Sequence, residues 1–133
     1  MIRKHYPAWA RRKRRGAPDP AIIDALATAL VSADDSAVRA VLHRDVVLTI
    51  DSGGLLAPTA STSLEGRVAT ASALTALLAP GTAVSGASIN GAAGLVLTRD
   101  ESVVSAITGE MRSGMLSSIW VVCNPEKLRH WNR

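Results

Sequence analysis

Apolar residues near the start of the chain recur at the spacing of an α-helix. The repeating positions are Ile22, Ile23, Leu26 and Leu30. They form one stripe along residues 21–31, which is typical of a helix that packs one face against a core. Asp19 is a suitable N-cap for this helix and Pro20 suits its first helical position. We therefore predict a first helix that begins just after Asp19.

A second, short helix and then a strand are predicted next, because the spacing of the apolar residues changes from helical to alternating. Asp34 or Asp35 can cap a second, short helix that buries Val38, Val41 and Leu42 and ends at His43. From residue 46 onward apolar residues alternate, so that one face holds Val46, Leu48 and Ile50 and the other holds Val47, Thr49 and Asp51. An acid at the end of such a strand, followed by Ser-Gly-Gly, is the first candidate for a group that faces a ligand.

The second half of the chain predicts one more helix and an antiparallel meander. Residues 55–64 are rich in Ser, Thr and Pro and predict a loop with a short edge strand, because proline does not fit a central strand. A helix follows Glu65-Gly66-Arg67, and its predicted buried face consists of Val68, Ala71, Leu74, Leu77 and Leu78. Strands are predicted over residues 82–90, 95–98, 103–108 and 115–123, with a closing helical turn over 126–131. Helices early and strands late indicate an α+β domain.

Three segments resemble a known family. They are LHRDVVLTIDSGG (residues 42–54), INGAAGLV (89–96) and VVCNPEKLRHW (121–131). Together with the helices they resemble a SnoaL-like domain of the NTF2-like superfamily, most closely the C-terminal domain of extracytoplasmic-function (ECF) RNA polymerase sigma factors. The Asp-Ser-Gly-Gly segment and the Asn-Pro-Glu-Lys-Leu ending are the more specific parts of this resemblance, which covers residues 19–131.

The resemblance implies an architecture and a set of partners. The fold is expected to be an NTF2-like cone, in which a curved, mostly antiparallel sheet wraps on three helices around an apolar interior. Residues 19–133 are expected to be this domain and residues 1–18 a basic, flexible tail. A small apolar ligand, a contact to sigma factor regions or to RNA polymerase, and a homodimer are the partners that the resemblance implies.

Charge is unevenly distributed along the chain. Seven of the fifteen Lys and Arg residues lie within residues 1–16, which contain no acid, whereas the remainder is mildly acidic. The tail residues Arg11, Arg12, Lys13, Arg14 and Arg15 could contact nucleic-acid phosphates, or they could form a solvated arm or the remnant of a linker. A single cysteine, with neither a secretory signal nor a run of about 18 apolar residues, favours a cytoplasmic protein that does not enter a membrane.

Asp51 is the residue with the clearest chemical potential. Inside an apolar cone its carboxylate would be desolvated and its pKa raised, which is how a general base is prepared near neutral pH. The ketosteroid isomerases of the superfamily use an aspartate in this region together with a phenol, but the one tyrosine here is Tyr6 in the tail. Alternatively, Asp51 is a turn residue that accepts backbone N–H bonds. Val47, Thr49, Asp51 and Trp120 are predicted to line the pocket, although Trp120 could instead lie on the outer face of the sheet in a row with Leu116, Ser118 and Val122.

Other chemistries have weaker support. An Asp-Arg-Asp arrangement, as in epoxide hydrolases of the superfamily, needs an arginine inside the cone, and Arg67 and Arg99 lie at a helix start and a turn. No pair of histidines has metal-ligand spacing, and no phosphate-binding or dinucleotide-binding motif is present, so we expect neither a metal nor a cofactor. Cys123 is expected to be a small buried residue rather than a nucleophile.

Three functions remain open from the sequence. The first is a non-catalytic, small-molecule-binding or regulatory domain linked to transcription. The second is a small isomerase or cyclase of the ketosteroid isomerase or polyketide cyclase type, with Asp51 as general base. The third is a purely structural dimerising domain. The missing tyrosine favours the first over the second.

Overall fold

The computed structural model of the chain describes residues 16–53 and 61–132. The helices are α1 (Pro20–Val31), α2 (Asp35–Ala40), α3 (Arg67–Ala76) and α4 (Pro125–Leu128), and a 3₁₀ turn follows at Arg129–Trp131. The strands are β1 (Leu42–Asp51), β2 (Ser61–Glu65), β3 (Ala83–Ile89), β4 (Ala92–Arg99), β5 (Ser102–Arg112) and β6 (Met115–Val122). These elements confirm the predicted α+β class.

The start of α1 follows the predicted capping pattern. The Asp19 carboxylate accepts a hydrogen bond from the backbone N–H of Ala21 at 2.9 Å, and Pro20 occupies the first helical turn. The predicted stripe is buried at Ile23, Leu26 and Leu30. Local capping and one apolar face are therefore sufficient to explain where this helix begins and how it packs.

The second helix is shorter, and the following strand longer, than the pattern predicts. Asp34 caps α2, which ends at Ala40, and β1 already begins at Leu42. His43 therefore lies in the strand, and its predicted place at a helix end is wrong. The physical reason is that residues 41 and 42 pair with β6 instead of continuing the helix. The backbone N–H of Leu116 donates to the carbonyl of Val41 at 2.9 Å.

The six strands form one sheet in the order β2-β1-β6-β5-β4-β3. The β1–β6 pair is parallel and the other four pairs are antiparallel. Strand β2 lies at an edge, as the composition of its segment predicts. The first strand thus lies between the edge strand β2 and the last strand, β6, which brings the ends of β1 and β6 together.

The two faces of the sheet have different surroundings. Helices α1, α2 and α3 cover one face, where the main core lies, and this core includes Leu48, Leu95, Leu97, Ile107, Ile119 and Val121. The opposite face, called here the outer face, carries a smaller cluster in which Leu128 of α4 packs with Val96 and Ala106. Val68, predicted to be buried, is 69% exposed, because α3 turns Ala71 and Leu74 toward the core instead.

A β-bulge changes which residues of β6 face the core. Met111 pairs with Leu116, but the next pair is Glu110 with Ser118, so β6 has one extra residue between the two pairs. Leu116 is consequently buried in the helix-covered core, and its predicted place in an outer row with Ser118, Trp120 and Val122 is wrong. The bulge interrupts the alternation on which the sequence prediction depended.

Candidate functional site

Asp51 ends β1 on the outer face of the sheet. Its strand neighbours Leu48 and Ile50 pack into the helix-covered core, so by alternation Thr49 and Asp51 point to the other side. In the sheet, Asp51 pairs with Val122 and Thr49 pairs with Trp120. The carboxylate therefore lies at the end of a row of residues that crosses the outer face.

The Asp51 carboxylate is held by groups from the C-terminal segment. Lys127 Nζ donates to Oδ2 at 2.5 Å, and Asn124 Nδ2 donates to Oδ1 at 3.5 Å. The backbone N–H of Gly53 donates to Oδ1 at 3.2 Å. The Asp51 side chain is 19% exposed, whereas the Lys127 side chain is 62% exposed. Both carboxylate oxygens thus have a partner within the described residues.

These contacts lower the pKa of Asp51 from its ordinary value. The hydrogen bond from Lys127 is the largest cause, and the N–H of Gly53, the positive charge of Lys127 and the amide of Asn124 act in the same direction. Burial acts in the opposite direction but is outweighed. Asp51 is therefore ionised at neutral pH, and its carboxylate accepts hydrogen bonds at both oxygens.

This environment differs from the one expected from the sequence. The resemblance implied that Asp51 lies inside an apolar cone with a raised pKa. The structure places it on the face of the sheet away from α1, and the predicted direction of the pKa shift is wrong. The reason is that Lys127, 76 residues further along the chain, reaches the carboxylate. The alternative prediction, a turn residue that accepts backbone N–H bonds, describes the Gly53 contact.

Gly53 and Asn124 form the tight junction between the two chain segments. Gly53 has a φ of +65°, and a Cβ added there would lie 2.8 Å from the Asn124 side chain. Asn124 Oδ1 also accepts the N–H of Glu126 at 3.0 Å, which caps α4. The backbone N–H of Cys123 donates to the carbonyl of Asp51 at 2.8 Å. A side chain at position 53 would therefore disturb both the turn and the helix that presents Lys127.

A groove of about 560 Å³ runs between the C-terminal segment and the outer face of the sheet. Its lining includes Thr49, Asp51, Trp120, Lys127, Leu128 and Trp131. Asn132 fixes the turn that carries Trp131, because its side chain accepts the N–H of Val103 at 2.6 Å and donates to the carbonyl of Val103 at 2.9 Å. A volume in this range suits a small organic ligand.

Three of the four residues predicted to line the interior of the cone line this groove on the outer face instead, and for Trp120 the outer face is the alternative that the sequence left open. Thr49, Asp51 and Trp120 line it. Val47 lies two residues earlier on β1 and borders a separate surface depression with Arg44, Asp45, Glu65 and Gly66. The sequence analysis does not predict three residues of the site, which are Asn124, Lys127 and Trp131. Two of them belong to the Asn-Pro-Glu-Lys-Leu segment that carries part of the resemblance.

The predicted nucleic-acid tail lies outside the described residues. This applies to Arg11, Arg12, Lys13, Arg14 and Arg15, and the structure begins at Gly16. The carbonyl of Gly16 accepts the N–H of Met111 at 2.8 Å. Residues 16–18 are thus attached to the sheet at β5, close to Glu110.

Cys123 and Arg99 are the other candidates whose surroundings the structure describes. Burial raises the pKa of the Cys123 thiol, and the negative charge of Asp51 adds to this effect. Arg99 donates to the hydroxyl of Thr82 through Nε at 3.1 Å and through Nη2 at 3.0 Å. Within residues 16–53 and 61–132, no group of three or more His, Cys, Asp or Glu side chains has an arrangement that could hold a metal ion. In the same part of the chain, no helix has the length and apolarity needed to cross a membrane.

The two segments that carry the more specific part of the resemblance meet in space. Asp51 and Gly53 belong to Asp-Ser-Gly-Gly, and Asn124 and Lys127 belong to Asn-Pro-Glu-Lys-Leu. The contacts described above join these two segments through an ion pair and side-chain and backbone hydrogen bonds. Residues 51–53 and 123–127 therefore form one structural unit at the ends of β1 and β6.

Comparison with solved structures shows the fold. The ECF sigma factor SigJ of Mycobacterium tuberculosis aligns with a TM-score of 0.61 and 24% identity over 80% of this chain and 42% of that chain. A Kribbella flavida DSM 17836 protein, proposed to be a ketosteroid isomerase, aligns with a TM-score of 0.56 and 16% identity over 77% of this chain and 75% of that one. An NTF2-like protein of unknown function from Cytophaga hutchinsonii aligns with a TM-score of 0.52 and 12% identity over 84% and 96%.

These similarities confirm the predicted NTF2-like, SnoaL-like fold. The names of these neighbours point to different functions, so the shared fold alone does not identify the function of this chain. No family model matches the chain, and no curated protein matches it either.

Proposed function

We propose that this protein is a non-catalytic, small-molecule-binding regulatory domain, related to the C-terminal domain of ECF sigma factors and acting in the regulation of transcription. The observation that carries the proposal is the Asp51–Lys127 ion pair at 2.5 Å. It makes Asp51, the acid that the sequence offers as a general base, a structural link between β1 and the C-terminal segment.

The environment of Asp51 is unfavourable for proton abstraction. A general base works best when its pKa lies near the working pH, and here the hydrogen bond from Lys127 lowers the pKa further from that range. A phenol that could support an enolate is also missing, because the one tyrosine in the sequence is Tyr6. The groove therefore has the features of a binding site more than those of an isomerase site.

The similarity to SigJ supports a role in transcription. This chain spans 42% of the SigJ chain, so a contact to sigma regions or to RNA polymerase would be made to a separate polypeptide or to a further part of the same one. We take the unit formed by residues 51–53 and 123–127 as the contact surface for that partner. A cytoplasmic location and a homodimer remain predictions, and light scattering of the purified chain measures the second.

The proposal is tested by adding the chain to a transcription reaction. RNA polymerase core and an ECF sigma factor shortened to its two polymerase-binding regions are incubated with the wild-type chain, with the Lys127→Gln variant or with the Arg129→Gln variant. Arg129 is a matched control because its ion pair with Glu126 is exposed. We expect the wild type and the control to change transcript yield and Lys127→Gln to do so less. An unchanged yield with the wild-type chain would contradict the regulatory role.

The alternative is an isomerase of the ketosteroid isomerase type with Asp51 as general base. The Kribbella flavida neighbour and the position of Asp51 on an open groove favour this second candidate. A β,γ-unsaturated ketosteroid reports the reaction directly through the absorbance of the conjugated product. Turnover that disappears in Asp51→Asn would establish the enzyme and overturn the non-catalytic proposal.

A further inference from the structure

The groove on the outer face has a length and a lining that suit an elongated, flat molecule. Its lining extends from β1 across β6 and β5 to Ile89 and Asn90 at the end of β3. Four strand-to-strand steps separate β1 from β3, which corresponds to about 19 Å measured along the sheet. Trp120 is half-buried on the sheet and Trp131 is 40% exposed on the 3₁₀ turn, so two indoles contribute to the lining. Such surfaces favour aromatic ring systems.

The free hydrogen-bonding capacity at the β1 end of the groove belongs to Lys127. Asp51 accepts from Lys127, Gly53 and Asn124, so its acceptor positions are largely used. An ammonium group has three donors, and within residues 16–53 and 61–132 the Asp51 carboxylate is the one acceptor that Lys127 Nζ contacts. A ligand that adds an acceptor or an anion at this end therefore gains a bond without displacing the ion pair.

The opposite end of the groove is unsuitable for an anion. A smaller depression continues from Trp120 and Ile89 to Glu110 and is lined by all three residues. The Glu110 carboxylate would repel a negative group there. Charge thus orients a ligand, with its acidic end at Lys127 and its apolar body toward Ile89.

We infer that this groove binds a flat aromatic or polycyclic molecule that carries a carboxylate, with the rings on Trp120 and Trp131 and the carboxylate at Lys127. The inference rests on the proposed function, since it names the class of ligand that the regulatory domain takes. It also places the ligand on the outer face of the sheet, away from the helix-covered side.

The test uses 2-naphthoate and its uncharged methyl ester as probes. Chemical shifts of the indole N–H groups of the full chain locate binding, and substitution of Trp120 by Phe assigns its signal. We expect both probes to shift the signals of Trp120 and Trp131. Larger shifts at Leu26 and Leu30 of α1 than at the two indoles would place the ligand on the helix-covered side and overturn the inference.

Charge variants test the role of Lys127. Lys127→Gln should weaken naphthoate binding by about fivefold, as expected for one partly exposed charge pair, and leave the ester within about twofold. Arg129→Gln should leave both probes within about twofold. Asp51→Asn should strengthen naphthoate binding, because it removes a negative charge that lies close to the ligand carboxylate. Equal losses for acid and ester in Lys127→Gln, or weaker naphthoate binding in a folded Asp51→Asn variant, would contradict the inference.

These outcomes are separate from those of the transcription and isomerase assays. If the chain binds naphthoate as described but leaves transcript yield unchanged, the ligand site is supported and the regulatory role is contradicted. If the chain changes transcript yield but binds neither probe, the inferred ligand class is contradicted and the regulatory role is supported.

Discussion

The ion pair between Asp51 and Lys127 should contribute measurably to the stability of the fold, and a double-mutant cycle isolates that contribution. The four proteins are the wild type, Asp51→Asn, Lys127→Met and the double variant. Because the Lys127 side chain is 62% exposed, solvent screens the pair, and a coupling free energy of about 0.5–1 kcal/mol is expected at neutral pH. Asp51→Asn should cost more than this, about 1–2 kcal/mol, because the bonds from Gly53 and Asn124 to the carboxylate are weakened as well.

The pH dependence of this coupling has a defined sign. The pKa of Asp51 is lowered in the folded protein, so the carboxylate contributes stability above its unfolded pKa of about 3.9. That contribution is lost as the pH falls through the folded pKa. The coupling should therefore be present at pH 7 and decrease progressively below about pH 4.

Urea denaturation followed by circular dichroism measures the cycle at pH 7 and at pH 3. Arg129→Gln is the control, because it breaks an exposed pair with Glu126 and should change the free energy of unfolding by less than about 0.5 kcal/mol. A coupling energy of zero at pH 7, or one that grows as the pH falls, would refute the reasoning.

Three further predictions concern packing and reactivity. Gly94→Ala should lower the free energy of unfolding by more than about 1 kcal/mol, since the new Cβ would lie 2.7 Å from a backbone carbonyl oxygen, whereas Gly86→Ala, with nothing within 4 Å, should change it little; equal effects in thermal or urea melts would contradict this. Leu48→Ala should lower the free energy of unfolding by about 2–5 kcal/mol because the residue is fully buried, and Val68→Ala should change it by less than about 0.5 kcal/mol. A large loss for the Val68 variant in the same melts would contradict the exposure of that side chain on α3. The Cys123 thiol should react slowly with a disulfide reagent at pH 7, because its pKa is raised, and a rate equal to that of free cysteine would contradict its environment.

Local signals in the sequence were sufficient for most of the elements. The α1 cap depends on Asp19 and Pro20, which are adjacent in the chain, and the turn at Asn90-Gly91 has positive φ at both residues, as that pair predicts. The alternation of β1 correctly separated Leu48 from Asp51. Such features need a few neighbouring residues and no knowledge of the rest of the fold.

The site could be predicted only in part, because it depends on contacts between distant residues. Which side of the sheet Asp51 faces is decided by where the helices pack, and alternation alone leaves that choice open. Lys127 and Asp51 are far apart in sequence, so local spacing cannot reveal the pair that sets the direction of the pKa shift. The bulge that turns Leu116 inward also arises from pairing between strands, and no residue in β6 signals it.

The most direct test of the central claim is an NMR titration of the Asp51 carboxyl carbon in the wild type and in Lys127→Met. The account predicts a pKa below about 3.9 in the wild type and a higher value in the variant, since the variant loses the hydrogen bond that lowers the pKa most. A wild-type pKa near neutrality, or one that does not change when Lys127 is replaced, would contradict it.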